Sequence, residues 1–541
     1  MFPITVINDD VLKATSSTDK SFKVEIQDSG GTWHDISDYV KEISIYENLL
    51  YNGSSQLNKI GIRLDNSNGE FSPAKVGAPF NPLVDNKPWL THKFPIRVKA
   101  VVNGTPPSEY LLFQGYVNKI SESTVDAVLE GYDLLFALSR RRLTRGFYAV
   151  YIDPETAIRN LLTQSGVLDD WAATFGTEPN LYFAPTPQAN TINYHAEGGK
   201  TYFEALSELC NSLGSYFTYS AINNTLYINF PADESFVEPT ANVTITTADC
   251  SEYTIKNQVD VPNRVVIEAD LLEPYESKIS DYWTFQAKDI ENAIRLPKNS
   301  RSNLTISFDN KAYNPDLTNV YLTFRTYTQE VVGSKLVYRA GGAIGRWYDL
   351  NAVPLTINDA GTGINVTIHN YEVKIDGIIL DVENNSTNTN VAIVEAKVDA
   401  YPYIETGTTK QIFEEADVIP NEKSLKTSYI DQNVLQRLAQ AYLKYLRSLY
   451  IVEADLLSFS PDLFAGGVIK MTLYDTSLNG SVMILQGIKH NIRMGFWITT
   501  IQAGLVGEPS LTSTTTNDAG VTRTTLAPFQ VSEPTVAIIE E

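Results

Sequence analysis

From Phe22 onward the apolar positions fall on alternate residues, in "FKVEIQD", "VKEISIYE", "LNKIGIRLD", "FPIRVKAVV", "YLLFQGYVNKI" and "DAVLEGYD". A period of two sends successive side chains to opposite faces, so each run predicts a short strand with one buried face. Turn residues separate the runs, which is the pattern of a sandwich or small barrel. Residues 1–20 precede the pattern as a loose arm, and residues 21–145 form a first β-domain. The segment from Asn66 to Pro95 is long and carries Pro73, Pro79, Pro82, Pro88 and Pro95. A loop of that length is either a subunit contact or a rigid surface loop.

The period then changes. "ETAIRNLLTQSGV" spaces its apolar residues as a helix does, with Asp153-Pro154 as a start signal and Gly166 as a stop. "GGKTYFEALSELCNSLGSYFTYSAINNTLYINF" reads as loop, helix, a cap at Gly214 and a hairpin turning at Asn223-Asn224. These segments predict an α+β domain over residues 146–253. After "NRVVIEADLL" the stretch 280–410 is rich in Asn and Thr and has no helical period, so it is expected to be an inserted β-sandwich. A helix is expected from Ile430 to Tyr450, with an apolar stripe through Val434, Leu438, Tyr442 and Leu446. Strand patterning then returns to about Leu505. Residues 254–279 and 411–507 thus make a second β-domain around the insert. Residues 508–541, dominated by Thr, Pro and acidic side chains, form a flexible C-terminal tail. The fold class is mainly β with α+β parts, in several domains.

Composition narrows the function. A chain of 541 residues exceeds what one core supports. A formal charge of −22 argues against a basic nucleic-acid-binding face, but does not exclude DNA passing through a channel whose walls repel it. Cys210 and Cys250 are the two cysteines, too few for a disulfide framework or a four-ligand zinc site. Cys210 sits in an apolar helical pattern and reads as a buried thiol. The start "MFPITVINDD" lacks the basic and apolar regions of a signal peptide, and no run of about 18 apolar residues occurs, so no stable membrane insertion is expected.

Candidate chemistry is sparse. "DNSNGE", from Asp65, invites a calcium reading, but an EF-hand loop needs Gly at its sixth position and Glu at its twelfth. Here Gly69 falls fifth, Glu70 sixth and Val76 twelfth, so the stretch is read as a tight turn. His34, His92, His195, His369 and His490 have no ligand partner at metal spacing. No phosphate-binding loop, nucleotide fingerprint or nucleophile elbow occurs. The clustered acids are Asp169-Asp170, Glu414-Glu415 and the Glu130 and Asp133 of "EGYD". Strand ends and helix caps explain them more simply than a glycosidase pair does. No catalytic, cofactor-binding or metal residue is expected. Trp283, Trp347 and Tyr348 could stack on sugars or pack a core.

One internal comparison says more. "LLFQGYVNKISESTVDAVLEGYD" lies over "MILQGIKHNIRMGFWITTIQAG", aligning Gln114-Gly115 with Gln486-Gly487 and Gly131 with Gly504. Two related β-domains near the two ends of the chain would produce this.

Several segments, in order, resemble the hub proteins of tailed-phage baseplates and tail tips. They are "WHDISDYVKEISIYENLLYNGSSQLNKIGIRLDNSNGEFSP", "LFQGYVNKI", "LEGYDLL", the helix-hairpin from Gly198, "NRVVIEA", "FAGGVIKMTLYD" and "LQGIKHNI". The likeness spans about residues 22–275 and 410–505; it is weak over 280–410 and absent beyond. It implies a trimer that caps the tail tube in the virion, two tube-like domains per chain matching the tube's sixfold symmetry. It further implies assembly in the host cytoplasm, a channel for DNA ejection, and contacts with tail tube, distal tail, tape measure and tip, spike or fibre proteins. Ring or interface positions would include Gln114, Gly115, Gln486, Gly487, Asn66, Gly69, Phe71 and Pro73. Competing readings are a receptor- or glycan-binding tail protein with a possible hydrolase role in host attachment, and a hexameric distal tail ring. The last needs only one tube-like domain.

Overall fold

The computed structural model describes residues 20–526 apart from 29, 50–56, 73–74, 76–79, 81–82, 85–86, 89–93, 103–107, 124, 145, 185–190, 231–242, 258–263, 275–277, 309–312, 375, 402, 416–421, 429–433, 436–437, 439–449, 457–462, 474–479, 494–495, 506–510 and 517–521. The fold is mainly β with α+β parts. Its backbone is one sheet of thirteen strands drawn from both ends of the chain. Strands Lys20–Gln27, Val40–Asn48, Lys59–Asp65, Pro95–Val102, Ser108–Glu122 and Asp126–Tyr132 supply the N-terminal part. Their alternation is visible in burial: in Val40–Asn48, Ile43 and Ile45 are fully buried while their neighbours are not. The inward side chains, with Phe71 and Leu129, build one core.

An α+β unit follows. The helix Pro154–Ser165 begins where the sequence signals it. Asp153 accepts a hydrogen bond from the Thr156 amide (2.9 Å), Pro154 opens the first turn, and Gly166 ends the helix in the left-handed region at φ 61°. The helix Tyr202–Ser212 is held by a reciprocal capping box of Thr201 and Glu204. Gly214 is required twice over. Its φ is +62°, and a Cβ there would run into the Leu438 side chain. The hairpin Tyr216–Ser220 to Thr225–Asn229 turns through Asn224 at φ 44°. The core of this unit includes Trp171, Leu206, Cys210 and Phe217, and reaches forward to Val434, Leu435 and Leu438. Those three are the described helical residues of the segment expected as a helix from Ile430 to Tyr450; Tyr442 and Leu446 lie outside the described residues.

Residues 279–401 form a sandwich. One sheet holds Ile279–Gln286, Asn390–Tyr401, Tyr313–Val332 and Lys335–Tyr348, with Ile294–Leu296 at its side; the other holds Ser300–Ser307, Gly377–Asn384, Ile364–Lys374 and Leu355–Asp359. Their inner faces share one core around Trp283, Phe324 and Leu380.

Two expectations change at the boundaries. The strand Cys250–Asn257 runs through the expected border at residue 253 and belongs to the large sheet, where it pairs with Tyr450–Leu456. Arg264–Pro274 instead pairs with Tyr403–Glu415, across the border at 410, in a separate five-stranded sheet. The C-terminal segment expected to be flexible contributes to that sheet. Thr522–Leu526 lies parallel to Tyr403–Glu415, and Leu511–Thr516 pairs with it in turn. Runs of Thr favour extended backbone, and an open sheet edge supplies the hydrogen bonds that a Thr-rich segment cannot find alone.

Candidate functional site: a repeated strand motif and its junction

Five neighbouring strands of the large sheet occur twice in the same spatial and chain order. In the first set the order across the sheet is Val40–Asn48, Lys59–Asp65, Asp126–Tyr132, Ser108–Glu122, Pro95–Val102. In the second it is Cys250–Asn257, Tyr450–Leu456, Phe496–Leu505, Ser481–Arg493, Val468–Thr472. Every neighbouring pair in both sets is antiparallel. A single 3-10 turn leads into the first strand of each, Ser37–Tyr39 and Thr247–Asp249.

The irregularities repeat as well. The first strand is bulged at its start in both sets: Val40 faces Leu64 and Glu42 faces Arg63, while Cys250 faces Leu456 and Glu252 faces Asp455. The fourth strand is bulged too. Asn118 is extra between Val117 and Lys119, and Gln486 is extra between Leu485 and Gly487. A bulge bends and twists its strand at one place, so two matching bulges make a detailed correspondence. The sets differ in the sixth strand, where Lys20–Gln27 is antiparallel to Pro95–Val102 but Val243–Thr246 is parallel to Val468–Thr472.

This correspondence revises the alignment of the two Gln-Gly pairs. Both lie in the fourth strand of their sets, but Gly115 takes the place of Met483, since Ile96 faces Gly115 and Ile469 faces Met483. Gln486-Gly487 falls on Asn118-Lys119. The glycines also do different work. A Cβ on Gly115 would collide with the Tyr132 carbonyl oxygen and come within 2.8 Å of its carbon. Around Gly487 the nearest atom would be the Glu47 carbonyl oxygen at 3.6 Å, an ordinary contact.

The sets join where Val40–Asn48 pairs with Ser481–Arg493, in register from Ile43 opposite Ile492 to Asn48 opposite Gly487. Lys489 lies over the Tyr46 ring at 5.2 Å on one face. His490 is buried on the other, its Nδ1 3.0 Å from Thr499 Oγ1, and burial holds its pKa down at about 4. Beneath the junction lies a buried polar knot. The Asn58 side-chain amide donates to Asp133 Oδ2 (2.8 Å) and to the Tyr219 carbonyl (3.0 Å), while its oxygen accepts from the Asn48 amide (2.8 Å). Asp133 also caps the helix Leu134–Arg140 through the Leu135 amide at 3.0 Å. Burial raises the Glu47 and Asp133 carboxyls to about 8.

Of the other expected interface positions, Asn66 and Phe71 are buried within the chain. Asn66 is buried; its amide donates to Ser72 Oγ and the Ser123 carbonyl, and its oxygen accepts from the Phe71 amide. Gly69 turns at φ 68°. Phe71 is fully buried, stacked on Phe80 at 5.2 Å and edge-on to Tyr39, so it packs the core of its own motif. Pro73 and most of the following loop lie outside the described residues. The "DNSNGE" stretch is an Asx turn, with Asp65 accepting from the Ser67 amide and paired with Lys41 at 3.1 Å.

The acid clusters have structural partners. Glu130 pairs with Lys119 at 3.3 Å, Asp170 pairs with Arg141, and Asp133 is the cap just described. The side chains of Glu414 and Glu415 lie outside the described residues. Among the described residues, no group of three His, Cys, Asp or Glu side chains is placed to hold a metal ion. Trp283 is fully buried, stacked on Phe308 at 4.8 Å, which removes it as a sugar platform. Trp347 is half exposed. No helix among the described residues is long and apolar enough to cross a membrane.

No protein-family model and no curated relative matches the chain. Solved structures similar to it include a tail protein from Neisseria meningitidis, 10% identical, covering 90% of this chain and 96% of its own with a TM-score of 0.45. A 43 kDa tail protein of a Shewanella oneidensis prophage is 8% identical, covering 89% and 96% with a TM-score of 0.41. A prophage tail protein from Listeria monocytogenes is 7% identical, covering 89% and 94% with a TM-score of 0.36.

Proposed function

We propose that the chain is a structural hub of a phage tail tip or baseplate, acting as a trimer that joins the tail tube to the tip and surrounds the path of the DNA. The observation that carries this reading is the duplicated five-strand motif with its matching bulges. Two equivalent motifs per chain allow three chains to present six equivalent surfaces to a sixfold tube. The order of the resembling segments supports the same assignment. A single-motif distal ring is disfavoured, since the second motif has no role there. The work is mechanical and needs no catalyst: the sheet supplies contacts, and the formal −22 per chain discourages DNA from sticking. Partners on this reading are tail tube, distal tail, tape measure and tip, spike or fibre proteins.

A second reading concerns the sandwich alone. Its hairpin tip exposes Val331, Val332 and Leu336 beside the turn at Gly333, and Trp347 is exposed on the same edge strand. Such a surface suits contact with a host receptor or a fibre.

The hub reading is tested in the particle that carries the chain. Tails assembled without it should lack the distal density at the tube end in electron micrographs, and a labelled chain should mark that end alone. Label along the tube's length, or complete tails without the chain, overturns the reading.

A further inference from the structure

In the sandwich, the sheet that holds Tyr313–Val332 and Lys335–Tyr348 turns one face to the core, with Leu322, Phe324 and Ala396 pointing inward. On its other face the alternate residues stand in two rows across four antiparallel strands. Thr284, Lys397, Tyr321 and Trp347 lie directly opposite one another in the first row, and Gln286, Glu395, Thr323 and Gly345 in the second. Directly opposed residues project from the same face, so each row is a line of neighbouring side chains. Farther along this face, Ile290 and Ala293 pack over Tyr327 and Ala392 and roof that end. At the other end Trp347 is 48% exposed.

A missing side chain arranges the two rings at this end. A Cβ on Gly345 would come within 2.3 Å of the Tyr321 hydroxyl oxygen. Gly345 lies two residues along the strand from Trp347, the partner of Tyr321, so the Tyr321 ring reclines along the sheet over the space that Gly345 leaves. Trp347 meets it at 60° with centroids 5.2 Å apart, and the pair makes an aromatic corner. The polar groups beside the corner hold one another in place. Lys397 Nζ lies 5.6 Å from the Tyr321 ring centroid and 3.3 Å from Glu395 Oε1, and Thr323 Oγ1 donates to the other Glu395 oxygen at 3.1 Å. Donors and acceptors fixed before a ligand arrives lose little freedom on binding it. Asp281, 4.0 Å from Lys397, adds a second acid, and Arg325, facing Ala343 one row on, a second cation. The charges around the corner therefore balance, in a chain whose formal charge is −22.

We infer that this corner binds a neutral glycan, a hexopyranose unit laying the C–H face of its ring on Trp347 and Tyr321 while its hydroxyls bond to Glu395, Lys397 and Thr323; this rests on the reading of the sandwich as a receptor-contacting module. The negative face of an aromatic ring attracts the weakly positive C–H groups of a sugar. Sugar hydroxyls donate to a carboxylate and accept from an ammonium or a hydroxyl, so one ring satisfies all three polar neighbours. Balanced charge gives a sulfated or uronic-acid polymer no surplus cation to pair with. The apolar tip at Val331 and Val332 lies at the opposite end of the same hairpin from Trp347, which makes the two surfaces separable by mutation.

The test is binding of the full chain to immobilised neutral oligosaccharides of glucose, galactose, mannose and N-acetylglucosamine, with sulfated and uronic-acid oligosaccharides as the anionic comparison. Retention on at least one neutral oligosaccharide is expected. Trp347→Ala should weaken it by about tenfold or more, Trp347→Phe, which keeps an aromatic face, by less, and Val331→Ser at the tip should leave it unchanged. Retention on anionic oligosaccharides alone, retention on none, or equal retention of Trp347→Ala overturns the glycan site. Host envelopes, untreated or with their sugar diols cleaved by periodate, separate this inference from the reading beneath it. Binding that periodate abolishes supports the glycan site. Equal binding to both removes the glycan site and keeps the receptor contact, and binding to neither removes both.

Discussion

Glu47 and Asp133 are buried together beneath the junction of the two motifs, and the charge on Asp133 pushes the Glu47 carboxyl up beyond what burial alone does. Both native pKa values stand at about 8, above ordinary carboxylate values. Between about pH 4 and pH 8 the native state therefore holds protons that the unfolded chain has released, and stability falls as pH rises through that window. Glu47→Gln keeps the shape and removes one titration. It should raise unfolding stability at pH 8 by about 1–3 kcal/mol and do little at pH 4.5. Denaturant midpoints at the two pH values check this; an equal shift at both would show that titration of Glu47 is not involved.

Gly115→Val should be the more damaging of the two glycine changes. Its Cβ meets the backbone of Tyr132 and Asp133, which cannot swing aside, so a loss of about 1–3 kcal/mol or outright misfolding is expected. Gly487→Val meets only ordinary contacts and should fold with its midpoint within about 0.5 kcal/mol of the parent. Thermal unfolding of both variants separates the cases.

Phe71→Ala should behave as a core deletion. The ring is fully buried against Tyr39 and Phe80, and its loss should cost about 3–5 kcal/mol with no change in oligomeric mass at concentrations where the chain stays folded. Dissociation of a still-folded variant would return Phe71 to an interface.

Light scattering across a concentration series should approach about 180 kDa, three copies of the 60.2 kDa chain. A limiting mass of six chains would favour the distal-ring reading, and a constant monomer would deny self-assembly.

Removal of residues 506–541 should loosen the sheet to which the last strand adds. Amides in Gln411–Glu415, which face Thr522–Leu526, should exchange faster, while those in Ile43–Asn48 should not change. Unchanged exchange in Gln411–Glu415 would mean that the added strand does not protect them.

Much of this architecture is legible in the sequence, for reasons visible in particular residues. Asp153-Pro154, Gly166 and the Thr201/Glu204 box carry their own local physics, and the structure uses them as caps. The duplication left a weaker trace. Gln114-Gly115 and Gln486-Gly487 are identical as letters but occupy different heights in their strands. The true correspondence rests on two bulges at Asn118 and Gln486, and a bulge is a fact of pairing with no residue signature of its own. A closer signal was present in "ISDYVKEISIYEN" and "TTADCSEYTIKN", each a 3-10 turn feeding a bulged strand. A Thr-rich composition is poor in apolar area, which hides the strands Leu511–Thr516 and Thr522–Leu526 from a reading of composition. A strand added to an edge needs chiefly backbone partners.

The second motif is interrupted between its first and second strands by residues 258–449, whereas its counterpart in the first motif has only the short connection from Leu49 to Asn58. On a ribosome this becomes a matter of time. At roughly 5–20 residues per second, Cys250–Asn257 emerges about 10–40 seconds before Tyr450–Leu456 exists to pair with it. Through that interval the N-terminal motif can already fold, and its Val40–Asn48 edge waits for a strand synthesised near the end of the chain. The order of synthesis thus leaves an early half of the sheet as template for a late half, and each nascent chain carries open edges until its last strands arrive.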